Sequence, residues 1–194
     1  MQGVFPEITQ ISDTGLQRKV VEVWIRVLKR SKYRRIEDAT VYPSSGFPGK
    51  DDNYPDLARI KLVDHTLAVV RGAICLAKLA KKMHNIEVDM DTLIAAGIIH
   101  DADKMLQYWK KGDKFVKSEL AVNHGVDAAR IAKEVGIPNK ITEIVRAHSP
   151  RVGEVDRSKE SILLDHADLA FADLYRSTVA LELYIERFKD KAKQ

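Results

Sequence analysis

The sequence predicts an all-α protein, a single-domain bundle of five or more helices. Three observations carry that expectation. Apolar residues recur at helical spacing almost without interruption from residue 60 onward. Proline and glycine fall between those periodic stretches instead of inside them. No pair of alternating segments reads as a strand pair, and 194 residues suit one domain with a sizeable core.

In chain order, residues 12–35 read as a helix, with Ser12 and Thr14 as candidate caps. Leu16, Val20, Val23, Trp24, Val27 and Leu28 form its apolar stripe, and basic residues fill the other face. Residues 38–58 hold Pro43, Pro48, Pro55, Gly46 and Gly49, which exclude a long helix or a central strand. Residues 61–82 are apolar nearly all round, the pattern of a buried central helix. A shorter helix spans 90–101 and ends in Ile98-Ile99-His100-Asp101. Residues 103–117 are rich in lysine and aromatics and break at Gly112. Helices follow at 119–135, closed by Gly136 and Pro138, at 139–148, closed by Pro150, and at 158–189. Residues 1–58 are expected to pack as an N-terminal helix and irregular loop on a core of residues 59–194.

Composition narrows the class. Hydrophobic residues make up 45% and charged residues 31%, a globular balance. The net charge of +4, from 32 basic and 28 acidic residues, is too small to argue for nucleic acid. The basic face of Lys29, Arg30, Lys32, Arg34 and Arg35 is diluted by Glu22, Glu37 and Asp38 and reads as a solvated helix face. No apolar run approaches the roughly 18 residues of a membrane span, and the N-terminus lacks a secretory pattern. A lone cysteine, Cys75, excludes an internal disulfide and a thiolate metal cluster, so a cytoplasmic setting is expected. Oligomeric state is left open.

The histidines carry the chemistry. His84 ends a helix beside Lys81 and Lys82 and reads as solvated. His124 lies in line with Leu120, Ala128, Ile131 and Val135. His148 lies in line with Ile141, Ile144 and Val145, and Asp168 with Leu164, Phe171 and Tyr175. His65 borders the stripe of Leu62, Thr66 and Val69, and His100-Asp101 closes a buried apolar run. A polar group turned inward costs several kcal/mol unless it is paired or binds a metal. One inward histidine is an ordinary hydrogen-bonded core residue. Four histidines and two aspartates together point to a shared charge. Imidazoles with carboxylates suit Fe, Mn, Co, Ni or Zn, and without thiolates a structural zinc site is disfavoured. Six ligands exceed what one catalytic ion takes, so two divalent ions bridged by Asp101 are the economical reading.

His65 in Val63-Asp64-His65-Thr66, then His100-Asp101, then Asp168 in Ala167-Asp168-Leu169, resembles the HD superfamily of metal-dependent phosphohydrolases over roughly residues 60–175. The resemblance implies a helical fold and a first metal held by His65, His100, Asp101 and Asp168. It matches His124 and His148 to the two extra histidines of members with a two-metal centre. Lys104 matches the lysine three positions after the Asp that contacts substrate phosphate or the attacking water. His148 is followed by Ser149-Pro150 and no Gly-Tyr-Pro segment follows, which sets the chain apart from the cyclic-di-GMP phosphodiesterase branch. Ala102-Asp103 after His100-Asp101 differs from the acidic pair of the alarmone hydrolases. The pattern is nearer the diadenosine-tetraphosphate hydrolases and other compact two-metal members.

The lesser candidates divide. Asp165 reads either as a carboxylate orienting a metal-bound imidazole or as a salt-bridge partner, and His166 points about 200° from Asp168 on a helical wheel. Lys104 and Arg151 are the candidate phosphate contacts; Arg146 falls two residues from His148 and points elsewhere. Lys110, Lys111, Lys114 and Lys117 around Tyr108, Trp109 and Phe115 read as a solvated loop with its aromatics packed inward, the alternative being a phosphate-attracting rim. The expected function is hydrolysis of a phosphate ester or anhydride of a nucleotide or dinucleotide, with Asp101 and Lys104 at the reacting centre. The expected partner is a small phosphorylated molecule, not a nucleic acid or a membrane. Two alternatives keep the ligand set: a di-iron oxygenase and a non-enzymatic metal-binding sensor module.

Overall fold

The computed structural model describes residues 1, 3–41, 59–111, 114–120, 122–148, 157–178 and 183. Helix α1 spans Thr14–Arg30, α2 Leu62–His84, α3 Met90–Ile99, α4 Val126–Glu134, α5 Asn139–Ala147 and α6 Lys159–Ser177. Helix α2 is central and packs along α6 and α3; α4 pairs with α5; α1 crosses α3 and α4. Among the described residues no helix is long and apolar enough to cross a membrane.

The helices start and stop where local chemistry dictates. The cap of α1 is Asp13, not Ser12 or Thr14: its Oδ1 accepts from Gly15 N at 2.7 Å and Leu16 N at 3.1 Å. The Ser12 hydroxyl instead donates to Asp91 at 2.6 Å and ties the two helix starts together. Asp89 caps α3 through Thr92 N, and Asn85, in the left-handed region at φ 53°, ends α2. An isolated bridge between Thr40 and Lys61, with Leu62 N donating to Ala39 O at 3.0 Å, seats the first turn of α2.

One apolar cluster fills the centre, and both the N-terminal segment and the helices from α2 onward contribute to it. Trp24 is fully buried on α1, stacks obliquely on Phe5 with centroids 4.9 Å apart, and donates from Nε1 to Ile98 O at 3.1 Å. Gly97 lets α3 approach α2 closely, since a Cβ there would sit 2.9 Å from Val70 Cγ2.

Two expectations are corrected. Residues 103–117 contain a strand pair: after a 3-10 turn at Ala102–Leu106, β1 (Tyr108–Lys111) and β2 (Lys114–Lys117) run antiparallel, with Trp109 opposite Val116. The helix expected over 119–135 starts only at Val126, because Gly125 takes φ +81°, a conformation L side chains rarely adopt. Leu120, expected on its buried stripe, is exposed. The last helix is described to Ser177; the rest of the expected 158–189 span lies mostly outside the described residues, as do residues 42–58 of the expected loop.

Candidate metal centre

Five places in the fold deliver the six predicted ligands to one point. His65 lies in the first turn of α2, and His100 and Asp101 follow the last residue of α3. His148 caps the C-terminus of α5, and Asp168 sits midway along α6. His124 comes from the turn before α4, not from a helix face as its spacing predicts. His65, His100, Asp101 and His148 are buried, while the His124 and Asp168 side chains keep 17% and 24% of their exposure. Those two therefore form the open edge of an otherwise closed centre.

Two clusters share one carboxylate. His65, His100, Asp101 and Asp168 each offer one atom, all within 4.8 Å of one another, and so do Asp101, His124 and His148. Asp101 Oδ2 lies 3.1 Å from His65 Nε2 and 3.4 Å from His100 Nε2. Its other oxygen, Oδ1, lies 3.2 Å from His124 Nε2 and 3.6 Å from His148 Nε2. Asp168 Oδ1 is 3.0 Å from His65 Nε2.

The donor set fits divalent cations. His100 donates from Nδ1 to Gly97 O at 2.7 Å, and His148 from Nδ1 to Val145 O at 2.5 Å. Each ring thus commits its proton to the backbone and turns the Nε2 lone pair inward. Yet among the described residues the buried His65 Nε2, His100 Nε2 and both Asp101 oxygens meet mainly one another and the Lys104 ammonium, without a well-formed neutral hydrogen bond to any of them. His124 Nε2 and His148 Nε2 face each other at 3.2 Å, a pairing that needs a proton or a cation between them. Buried polar atoms left in this state are costly, and a shared positive charge removes the cost.

The electrostatics agree. Burial works against a charge on Asp101, but Lys104 and His100 outweigh it and hold its carboxyl well below the usual range. Burial likewise opposes ionisation of Asp168, and the His65 hydrogen bond and charge overcome it. His100 is raised, because Asp101 and Asp168 outweigh its burial. For His124 burial lowers and the Asp103 charge raises; with hydrogen bonds to Asp101 and Asp103 the result is pushed up to about 9. Metal-free His124 therefore holds its proton on Nε2 at neutral pH and loses it only as pH climbs through that value. A cation binding at Asp101, His124 and His148 has to displace this proton. Uptake there should release at least one proton per ion, with affinity rising about tenfold per pH unit up to the His124 pKa. Calorimetric titration in buffers of different ionisation enthalpy measures this, and uptake without proton release contradicts it.

The remaining predicted residues fall as follows. Lys104 stands on the 3-10 turn, mostly buried, with Nζ 2.7 Å from Asp101 Oδ2. Arg151 and its neighbours lie outside the described residues. Asp165 takes the salt-bridge alternative, with Arg157 Nη1 2.9 Å away; burial pushes its carboxyl up and the guanidinium opposes that. Arg146 pairs with Glu143, and His84 and His166 are exposed.

Sequence reasoning gave Asp103 no role. It is fully buried, and its Oδ1 accepts from His124 Nδ1 at 2.9 Å. Its Oδ2 accepts from Gly125 N at 2.7 Å and more distantly from Ala128 N at 3.4 Å, which caps α4 from outside the helix. The one signal available was that α4 opens on Gly125, which has no side chain to cap it.

No curated protein and no solved structure matches the chain. A family model, described as HD domain, matches residues 62–172. That stretch runs from the first residue of α2 to one turn past Asp168 and takes in all six clustered side chains. It covers more than half of the sequence, and on that measure the chain belongs to the HD domain family, a superfamily of metal-dependent hydrolases.

Proposed function

We propose that the protein is a two-metal phosphohydrolase acting on a phosphate ester or anhydride of a nucleotide or dinucleotide. The hydrolase core is assigned to the segment from residue 59 onward, and the described residues of the N-terminal segment, up to Val41, pack against it. The observation that carries the reading is the division of one buried carboxylate between two clusters, Asp101 Oδ2 toward His65 and His100 and Asp101 Oδ1 toward His124 and His148. A carboxylate turned both ways would suit the bridging position of a dinuclear centre.

His65, His100, Asp101 and Asp168 would hold one ion, and Asp101, His124 and His148 the other. The chemistry such ions would supply there is a lowered pKa of a water and neutralisation of charge gathering on a phosphoryl group. The chain supplies the rest. Backbone carbonyls fix the His100 and His148 rings, so the ligand geometry is set before substrate arrives. The Lys104 ammonium beside the bridging carboxylate adds positive charge where a phosphate oxygen would approach. The buried walls exclude bulk water, which strengthens each of these interactions. In the hydrolysis a water oxygen bonds to phosphorus, the bond from phosphorus to the leaving oxygen breaks, and the water's proton ends on the leaving group or in solvent. The absence of a thiolate among the ligands and the nitrogen and oxygen donor set suit Fe, Mn, Co, Ni or Zn. The nucleotide assignment comes from the resemblance of the ligand pattern to compact two-metal members of the superfamily.

The test is metal analysis of the purified protein followed by hydrolysis assays with each of those metals. The panel holds nucleoside mono- and diphosphates, dinucleoside polyphosphates and p-nitrophenyl phosphate. Metal-dependent release of phosphate or nucleotide, abolished by chelation, is expected. Stoichiometric metal with no hydrolysis of any ester or anhydride overturns the reading, and oxygen uptake by the iron-loaded protein then replaces it with the oxygenase alternative.

A further inference from the structure

Three of the clustered imidazoles have an identified Nδ1 partner, and the partners differ in kind. His100 and His148 donate to backbone carbonyls, Gly97 O and Val145 O. His124 donates to a carboxylate, Asp103. A carboxylate behind an imidazole makes the opposite ring nitrogen a stronger donor than a neutral carbonyl does. This stronger backing falls on the cluster that needs it. The first cluster has four protein ligands, whereas the second has Asp101, His124 and His148 alone, with His124 at the open edge.

We propose that Asp103 is a positioning residue that decides whether the centre holds its second ion. The inference rests on the two-metal reading above and adds a control point to it. Asp103 does two things with one buried carboxylate. Oδ1 holds one His124 proton on Nδ1, which turns Nε2 toward Asp101 and His148, the nitrogen a cation would claim. Oδ2 holds Gly125 N, which fixes the backbone next to that ring. The Gly125 backbone also packs close against the His148 anchor: a Cβ there would stand 3.2 Å from Val145 O, the carbonyl that His148 Nδ1 donates to. Asp103 therefore couples the placement of both histidines of the second cluster, and among the described residues its hydrogen bonds go to His124, Gly125 and Ala128 and to none of the ligands unique to the first.

Asp103→Asn is the discriminating substitution, because an amide has one acceptor and one donor where the carboxylate has two acceptors. With its oxygen toward Gly125 N, its NH2 group faces His124 Nδ1. That nitrogen must then accept, and the ring proton moves to Nε2, where it blocks a cation. With the amide turned over, NH2 opposes the Gly125 N–H and two buried donors meet. Neither orientation reproduces the native arrangement.

The experiment is calorimetric titration of metal-free protein with Mn2+, paired with ion counting after desalting. Wild type should take up two ions per chain. D103N should bind the first ion with unchanged affinity and the second about 10- to 100-fold more weakly. Equal weakening of both ions overturns the proposal, since a merely structural role would affect the whole centre. Two ions bound with wild-type affinity by D103N overturn it while leaving the two-metal reading intact. One ion in wild type overturns both. Nitrogen NMR of the Zn-loaded wild type gives an answer that does not depend on a folded variant. A His124 ring protonated at Nδ1 is expected, and one protonated at Nε2 removes the basis of the proposal.

Discussion

Asp101→Asn is expected to leave the protein with less than one bound divalent ion per chain and to lower kcat/KM by about a hundredfold or more. Outer partners of metal ligands cost about 10- to 100-fold when removed, and the ligand shared by both clusters sets a higher floor. Asparagine keeps the shape of the side chain, so the fold survives, but it removes the negative charge on which four imidazoles and one ammonium converge. His65, His100, His124 and His148 all stand within 3.6 Å of an Asp101 oxygen, and Lys104 Nζ stands at 2.7 Å. Without that charge the inward Nε2 atoms and any cation among them repel one another. Metal analysis and steady-state kinetics on the active substrate of the panel read the outcome. A variant that keeps two ions shows that Asp101 does not bridge.

Trp24→Ala is expected to cost about 3–5 kcal/mol of folding stability, the range for removing a large aromatic from a packed core. The side chain is fully buried between Phe5 and α3. Its removal also strips Ile98 O of the indole donor two residues before His100. An unsatisfied buried carbonyl adds to the cavity cost. Trp24→Phe separates the two, since it keeps most of the apolar volume and loses only the hydrogen bond, about 1–2 kcal/mol. Urea denaturation followed by circular dichroism measures both variants. A loss under about 1 kcal/mol for Trp24→Ala would place α1 outside the cooperative unit.

The helical architecture was legible because burial imposes a period. α2 and α3 are apolar nearly all round and α5 on one face, and α1 packs on them through the stripe from Leu16 to Val27. Polar residues inside those stripes stood out for the same reason, and the structure gathers His65, His100, Asp101, His148 and Asp168 around one point. His124 reached the same place by a route the period misread. The turn signal of Asn123-His124-Gly125 lay in the sequence, but Leu120 and Ala128 mimicked one helical face across it. The hairpin escaped notice because lysine is depleted in strands and four-residue strands give too short an alternation to register. Asp13 displaced Ser12 as a cap because the distant Asp91 accepts from the Ser12 hydroxyl and from the Ser12 and Asp13 amides, a contact no local pattern encodes. Asp103 is the clearest case: its role exists only once Gly125 and His124 have been folded back onto the 3-10 turn.

The six clustered side chains are drawn from positions 65 to 168, and no sequence-local pair among them could make either cluster alone. Loop closure of that span is paid before any ligand geometry exists, so the centre matures only when α2 and α6 have met. A cation that recognises the finished arrangement adds RT ln(1 + [L]/Kd) to the native state and little to the unfolded chain. Metal binding at the shared carboxylate would thus make the abundance of folded protein a function of the free metal concentration in which the chain finds itself.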